Sequence, residues 1–95
     1  MSFVRPDKVK KELDGIKAEF VGEPKNEKTM NRIYWRLRYY FFDLLHYRCG
    51  LPNEFALESF FDVDNSEIVF VIKSGNKEVL GVLRRILGFE EVRFK

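Results

Sequence analysis

The sequence contains few of the residues from which disulfides, zinc sites and membrane spans are built. Its 95 residues include one cysteine, Cys49, and one histidine, His46. A single cysteine excludes an intramolecular disulfide, and these two residues fall short of the four ligands that a structural zinc site requires. No apolar run approaches the roughly 18 residues of a transmembrane helix, and residues 1–15 lack the apolar segment of a signal peptide. We therefore expect a cytoplasmic protein that binds no membrane, metal or cofactor.

The chain also lacks a strong excess of either charge. It has 17 Lys and Arg residues against 15 Asp and Glu residues, a formal net charge of +2. That balance is too even to indicate nucleic-acid binding by itself. The charges are nevertheless segregated, because residues 54–67 contain acidic residues and no basic one. A basic side that contacts RNA phosphates is one interpretation of this segregation, and an ordinary solvated surface is the other.

No group of residues points to catalysis. The segment "DVDNSE" begins like a calcium-binding loop, but Glu67 stands where that loop needs glycine and Lys73 where it needs glutamate. A turn between two strands explains the segment better. General acid–base chemistry needs titratable groups that converge in a pocket, and the sequence indicates none. We therefore predict that the protein is not an enzyme.

Aromatic residues are abundant, at 16% of the chain, and many of them fall in "RIYWRLRYYFFDLLHYRCG", residues 32–50. The pattern predicts a helix from about Glu27 to Cys49, with Asn26 able to cap its start and Gly50 placed to end it. At 100° per residue this helix has two opposed apolar stripes. The stripe predicted to face the core comprises Ile33, Leu37, Tyr40, Phe41 and Leu44. The second stripe comprises Trp35, Tyr39, Phe42 and His46.

The second stripe needs a cover, because a small sheet can bury only one side of a helix. The cover could be the N-terminal helix, through Val4, Val9 and Leu13. It could equally be another protein chain, either a second copy in a homodimer or a different partner. Trp and Tyr flanked by Arg are typical of protein interfaces.

The order of the predicted elements indicates an α+β fold in one domain, residues 1–95. A short helix from Pro6 to Gly15 precedes a strand in "GIKAEFVG", the long helix, strands in residues 54–64 and 67–73, an amphipathic helix in residues 77–87 and a final strand in residues 90–95. This order predicts a ferredoxin-like βαββαβ arrangement, in which two helices cover one face of an antiparallel sheet. Residues 1–14 would form a helical preface, and residues 15–95 the α+β core.

The element order and the run "FALESFFDVDNSEIVFVIKSGNKEVLGVLRRIL", residues 55–87, resemble the small ferredoxin-like protein subunit of archaeal and eukaryotic ribonuclease P. The resemblance covers roughly residues 15–95. It implies a non-enzymatic scaffold in a ribonucleoprotein, in which RNA carries the chemistry and the protein pairs with a larger protein subunit.

Two classes of function follow from these patterns. The first is an assembly or RNA-associated scaffold, with Trp35, Tyr39, Phe42 and His46 as the partner interface. Its RNA phosphate contacts would be Arg32, Arg36, Arg38, Arg84 and Arg85. The second class is a small regulatory or ligand-binding module that holds an anion at the open sheet face or at the loop around Gly75. An inhibitor that acts through protein–protein contact is a further alternative.

Overall fold

The computed structural model describes residues 4–88 and 90–95, which form an α+β fold. Three α-helices and a three-stranded antiparallel sheet are present in this part of the chain. The elements in chain order are α1 (Pro6–Glu19), α2 (Glu27–Phe42), a π-helical continuation of α2 (Asp43–Arg48, here the π segment), β1 (Ala56–Asp62), β2 (Glu67–Lys73), α3 (Lys77–Leu87) and β3 (Glu91–Phe94). None of the described helices is long and apolar enough to cross a membrane.

The predicted first strand is wrong, because "GIKAEFVG" continues α1 as far as Glu19 and then turns. The buried residues Val9, Leu13, Ile16 and Phe20 recur at intervals of four, three and four, which is the period of a helix face. Gly15 lies within α1 and does not end it. The element order of the described residues is therefore ααββαβ, and the ferredoxin-like βαββαβ order is not confirmed.

Strand β2 lies at the centre of the sheet, between β1 and β3. Its alternate residues Ile68, Phe70 and Ile72 are buried in one core with side chains from all three helices. The near-continuous apolar sequence of β2 predicted a central strand, and this prediction is confirmed. The fully buried residues Leu37 and Phe41 of α2 belong to the same core. The helices therefore cover the sheet face that carries Ile68, Phe70 and Ile72.

The opposite face of the sheet carries charged side chains beside two apolar ones, Phe60 and Val69. Phe60 of β1 pairs with Val69 of β2, which pairs with Arg93 of β3. The Arg93 guanidinium donates to Asp62, with an N–O distance of 2.8 Å, and to Glu67, at 3.1 Å. Phe60 is 46% exposed. This face therefore presents one exposed ring beside a network of ion pairs.

Helix α2 begins and ends near the capping residues that the sequence predicted, Asn26 and Gly50. The Asn26 side chain accepts a hydrogen bond from the Thr29 amide at 3.0 Å, and α2 begins one residue later. Gly50 has a φ of 66°, in the left-handed region, and lies two residues after Arg48, where the long helical rod ends. These local signals set the length of the rod that carries the candidate site.

Candidate functional site

The outer side of α2 and the π segment carries a row of aromatic side chains that we name the aromatic stripe: Trp35, Tyr39, Phe42, His46 and Tyr47. Trp35 is 48% exposed, Tyr39 68% and Tyr47 70%. His46 is also exposed, and Phe42 is half-buried. The opposite side of the same rod is buried in the core. Solvent therefore faces the large rings that the sequence placed on the second stripe.

The rings of the aromatic stripe contact one another in two groups. The Trp35 and Tyr39 ring centroids are 6.2 Å apart. Phe42 lies 5.5 Å from His46 and 5.9 Å from Tyr47, and those two rings are 4.7 Å apart. The rings are therefore in contact with one another and form a ridge along the rod; they are not isolated exposed residues.

Helix α1 does not cover the aromatic stripe. Val4, Val9 and Leu13, which the sequence analysis offered as an intramolecular cover, are buried in the core instead. Helix α1 packs against α3 and reaches α2 only along one flank, where Glu19 accepts two hydrogen bonds of 3.0 Å from Arg36. The N-terminal helix is therefore not the cover of the second stripe, and another protein chain is the alternative that stays open.

The π segment explains why Tyr47 belongs to the aromatic stripe, although an α-helical period predicts only Trp35, Tyr39, Phe42 and His46 there. The Cys49 amide donates to the Leu44 carbonyl at 2.9 Å, a bond that spans five residues. In an α-helix, residues five apart point about 140° away from each other. The wider π turn instead brings the Tyr47 ring against that of Phe42. Assuming 100° per residue through Cys49 therefore misplaced Tyr47.

A partly buried hydrogen-bond network fixes the aromatic stripe relative to α1. The Tyr40 hydroxyl and the Arg48 guanidinium both donate to one carboxylate oxygen of Glu12, at 2.8 and 2.7 Å. Burial, and then the hydrogen bond to Glu12, raise the pKa of the Tyr40 hydroxyl. Burial also opposes ionisation of Glu12, but the bonds from Arg48 and Tyr40 outweigh it and lower the Glu12 pKa. This network ties both α2 and the π segment to α1.

Most of the arginines proposed to contact RNA already have partners within the chain. Arg32 pairs with Glu23 at 2.9 Å and Arg84 with Glu90 at 2.6 Å, while Arg36 pairs with Glu19 as described above. The five arginines lie on two helices, α2 and α3. Arg38 donates to the Tyr34 hydroxyl and lies over the Phe55 ring, whereas Arg84 and Arg85 lie on α3.

The loop around Gly75 uses its polar groups internally. The Asn76 side-chain oxygen accepts hydrogen bonds from the amides of Glu78, at 2.9 Å, and Val79, at 3.3 Å. These are the amides that an anion at the start of α3 would need. Glu54 adds negative charge, because its carboxylate accepts from the Asn76 side-chain amide at 3.1 Å. The loop is therefore occupied by a helix cap.

The described residues contain no group of three or more His, Cys, Asp or Glu side chains that could hold a metal ion. Burial raises the pKa of the Cys49 thiol. A thiol is a weaker nucleophile than its thiolate, so this environment does not activate Cys49.

Comparison of the chain with protein-family models, with curated proteins and with solved structures gave no match. The resemblance to the ribonuclease P subunit therefore stays a prediction.

Proposed function

We propose that this protein is a non-enzymatic assembly module that binds a protein partner through the aromatic stripe. The observation that carries the proposal is the exposure of Trp35 and Tyr39, 48% and 68%, on a helix whose other side is buried. The largest exposed apolar patch on a typical monomer measures about 300–600 Å² and is often functional. Trp and Tyr are also among the side chains that contribute most to binding energy.

The area of the aromatic stripe sets the scale of the binding energy. An aromatic side chain buries about 200 Å² when covered, so Trp35, Tyr39 and Tyr47 leave roughly 400 Å² to be covered. Burying that area is worth roughly 10 kcal/mol. The loss of translational and rotational freedom on association costs about 4–15 kcal/mol. The three rings can therefore sustain binding only with help from their neighbours, which is why we assign the whole stripe to the interface.

The RNA-associated form of this proposal has weaker support. Phosphate binding by Arg32, Arg36 or Arg84 would compete with the carboxylates that already pair with them. A phosphate contact would then exchange one ion pair for another. We therefore place the function on the aromatic stripe and make RNA an outcome of the test.

The test is affinity capture from an extract of the source organism, with and without nuclease. The bait proteins are the unmodified chain, the Trp35→Ala/Tyr39→Ala double variant and a Phe60→Ala control on the opposite sheet face. We expect the unmodified chain to capture a protein partner both with and without nuclease, and untagged copies of the chain itself count as such a partner. The double variant should bind this partner at least about 30-fold more weakly. The control should bind as the unmodified chain does.

Both substituted rings are largely outside the core, so the double variant should retain its circular dichroism spectrum. Capture that is equal for all three baits would overturn the proposed function. Capture that disappears on nuclease treatment would favour the RNA-associated alternative.

A further inference from the structure

We propose that the partner is a second copy of this chain, docked with the two aromatic stripes antiparallel across a two-fold axis. This inference rests on the proposed function and specifies the occupant of that same surface. Three features support it: the spacing of the rings, the charges on the two flanks of α2, and the area available for burial.

The spacing of the rings suits a two-fold axis. Trp35, Tyr39, Phe42 and His46 follow one another at intervals of four, three and four, which are the same from either end, and the rings pair as Trp35 with Tyr39 and Phe42 with His46. A two-fold axis perpendicular to the helix, between Tyr40 and Phe41, places Trp35 of one copy opposite His46 of the other. The same axis places Tyr39 opposite Phe42. A two-fold interface uses the same patch on both subunits, so the patch must be self-complementary.

The flanking charges favour the antiparallel orientation over the parallel one. Arg36 and Asp43 both line the groove on the α1 side of α2, whereas Arg38 lies on the other side, over Phe55. When the two helices are antiparallel, the flank on the α1 side of one copy meets the same flank of the other copy. Asp43 of one copy then lies within about 3 Å of Arg36 of the other, measured along the helix axis. In parallel helices opposite flanks meet, and Arg36 would face Arg38. The antiparallel pair therefore avoids the contact between Arg36 and Arg38, and it brings Asp43 near an Arg36 that also pairs with Glu19 of its own chain.

The aromatic stripe itself presents no carboxylate, ammonium or guanidinium group to its counterpart. Docking two copies therefore requires no unpaired Lys, Arg, Asp or Glu charge to be buried at the centre. The indole N–H of Trp35 and the hydroxyls of Tyr39 and Tyr47 are polar ends of large rings. Such groups tolerate a partly hydrated interface rim. The composition of the stripe thus suits reversible contact between two copies.

The area suits a weak dimer. Adding the half-buried Phe42 and the exposed His46 brings the area of one stripe to roughly 500 Å², so full burial of both stripes would cover roughly 1,000 Å² in total. Specific interfaces begin at about that size. We therefore expect a dimer that dissociates on dilution and that relies on its central rings.

The first experiment measures mass and tryptophan exposure together over a wide range of protein concentration. Sedimentation equilibrium should show the mass rising from 11.4 kDa toward twice that value. Trp35 is the only tryptophan, so quenching of its fluorescence by acrylamide should weaken over the same concentration range. Tyr39→Ala should weaken the dimer at least about tenfold. Phe60→Ala should leave both measurements unchanged.

The second experiment tests the orientation. One chain carries Trp35→Phe and Cys49→Ser, which remove its own tryptophan and cysteine, and His46→Cys, whose thiol is labelled with a nitroxide. This labelled chain is mixed with the unmodified chain. The antiparallel pair places the nitroxide against the Trp35 of the other copy, so that copy's fluorescence should fall. The same label on Asn31→Cys, four residues before Trp35, should quench much less. Stronger quenching from position 31 than from position 46 would overturn the antiparallel arrangement.

The outcomes separate this inference from the proposed function. A chain that stays at 11.4 kDa at all concentrations overturns the second-copy inference. If stripe-dependent capture of a different protein is still seen, the proposed function survives that result. If neither self-association nor stripe-dependent capture is seen, both proposals fail. Both proposals are supported if the chain forms a dimer that Tyr39→Ala weakens and Phe60→Ala leaves unchanged.

Discussion

Asp62, at the end of β1, is stabilised in its ionised form by two neighbours. Hydrogen bonds from the Asn65 side chain and from Arg93 are the largest causes that lower its pKa from 3.8 to about 2. A carboxyl whose pKa is lower in the folded state contributes stability above its unfolded pKa. That stability is lost as the carboxyl is protonated in the folded protein. Asp62 therefore links the turn between β1 and β2 to the acid stability of the sheet.

We predict that stability falls as the pH decreases from about 4 to about 2, in part because Asp62 is protonated. Asp62→Asn should reduce the slope of unfolding free energy against pH in that window, measured by urea denaturation at each pH. Asp64→Asn is the matched control, because Asp64 is exposed in the same turn. Equal slopes for the unmodified chain and Asp62→Asn would contradict the prediction.

At the scale of elements, the π segment determines how far the aromatic stripe extends. We predict that Tyr47→Ala weakens self-association about as much as Tyr39→Ala, at least about tenfold, because the π turn places Tyr47 beside Phe42. Val21→Ala, in the turn after α1, is the control for loss of an exposed apolar side chain. Sedimentation equilibrium measures the effect. A Tyr47→Ala dimer as stable as that of the Val21→Ala control would remove Tyr47 from the interface.

The helical rod shows what sequence periodicity can and cannot predict. Of the five residues predicted to face the core, Ile33, Leu37, Phe41 and Leu44 are buried, and Tyr40 is half-buried. Their positions follow from a period that persists over several turns, so the prediction averages over many residues. The π segment depends on where one backbone hydrogen bond changes its span, and no single residue type marks that change. The exposure of Tyr47 at this face was therefore missed.

The predicted strand in "GIKAEFVG" failed for a related reason. Ile16, Ala18 and Phe20 alternate with polar residues, as in a strand, but Ile16 and Phe20 are also four apart, as on a helix face. Five residues cannot separate the two periods. Extending the window back to Val9 and Leu13 favours the helix, because those residues continue the helical spacing. The residues of β2, by contrast, are β-branched and apolar almost without interruption, and that strand was predicted with its observed boundaries.

At the scale of the whole molecule, α1 is part of the core. Helix α1 crosses residue 15, the predicted boundary between preface and core, and its apolar side chains share one cluster with the sheet. We predict that Leu13→Ala lowers the free energy of unfolding by about 2–4 kcal/mol, because it removes a buried side chain and leaves a cavity. Urea denaturation measures the change.

Lys10→Ala, at an exposed position of the same helix, is the matched control and should change stability by less than about 0.5 kcal/mol. A loss of stability no larger in Leu13→Ala than in Lys10→Ala would show that α1 can detach without cost to the core. The Glu12 network would then be the main attachment of α1 to the rest of the molecule.

Strand β1 forms one edge of the sheet, and the acidic residues Glu58 and Asp62 lie along it. Glu58 pairs with Lys73 and Asp62 with Arg93, so this edge carries charged side chains, which oppose strand-by-strand addition of further copies. Growth into fibrils along this edge is therefore disfavoured.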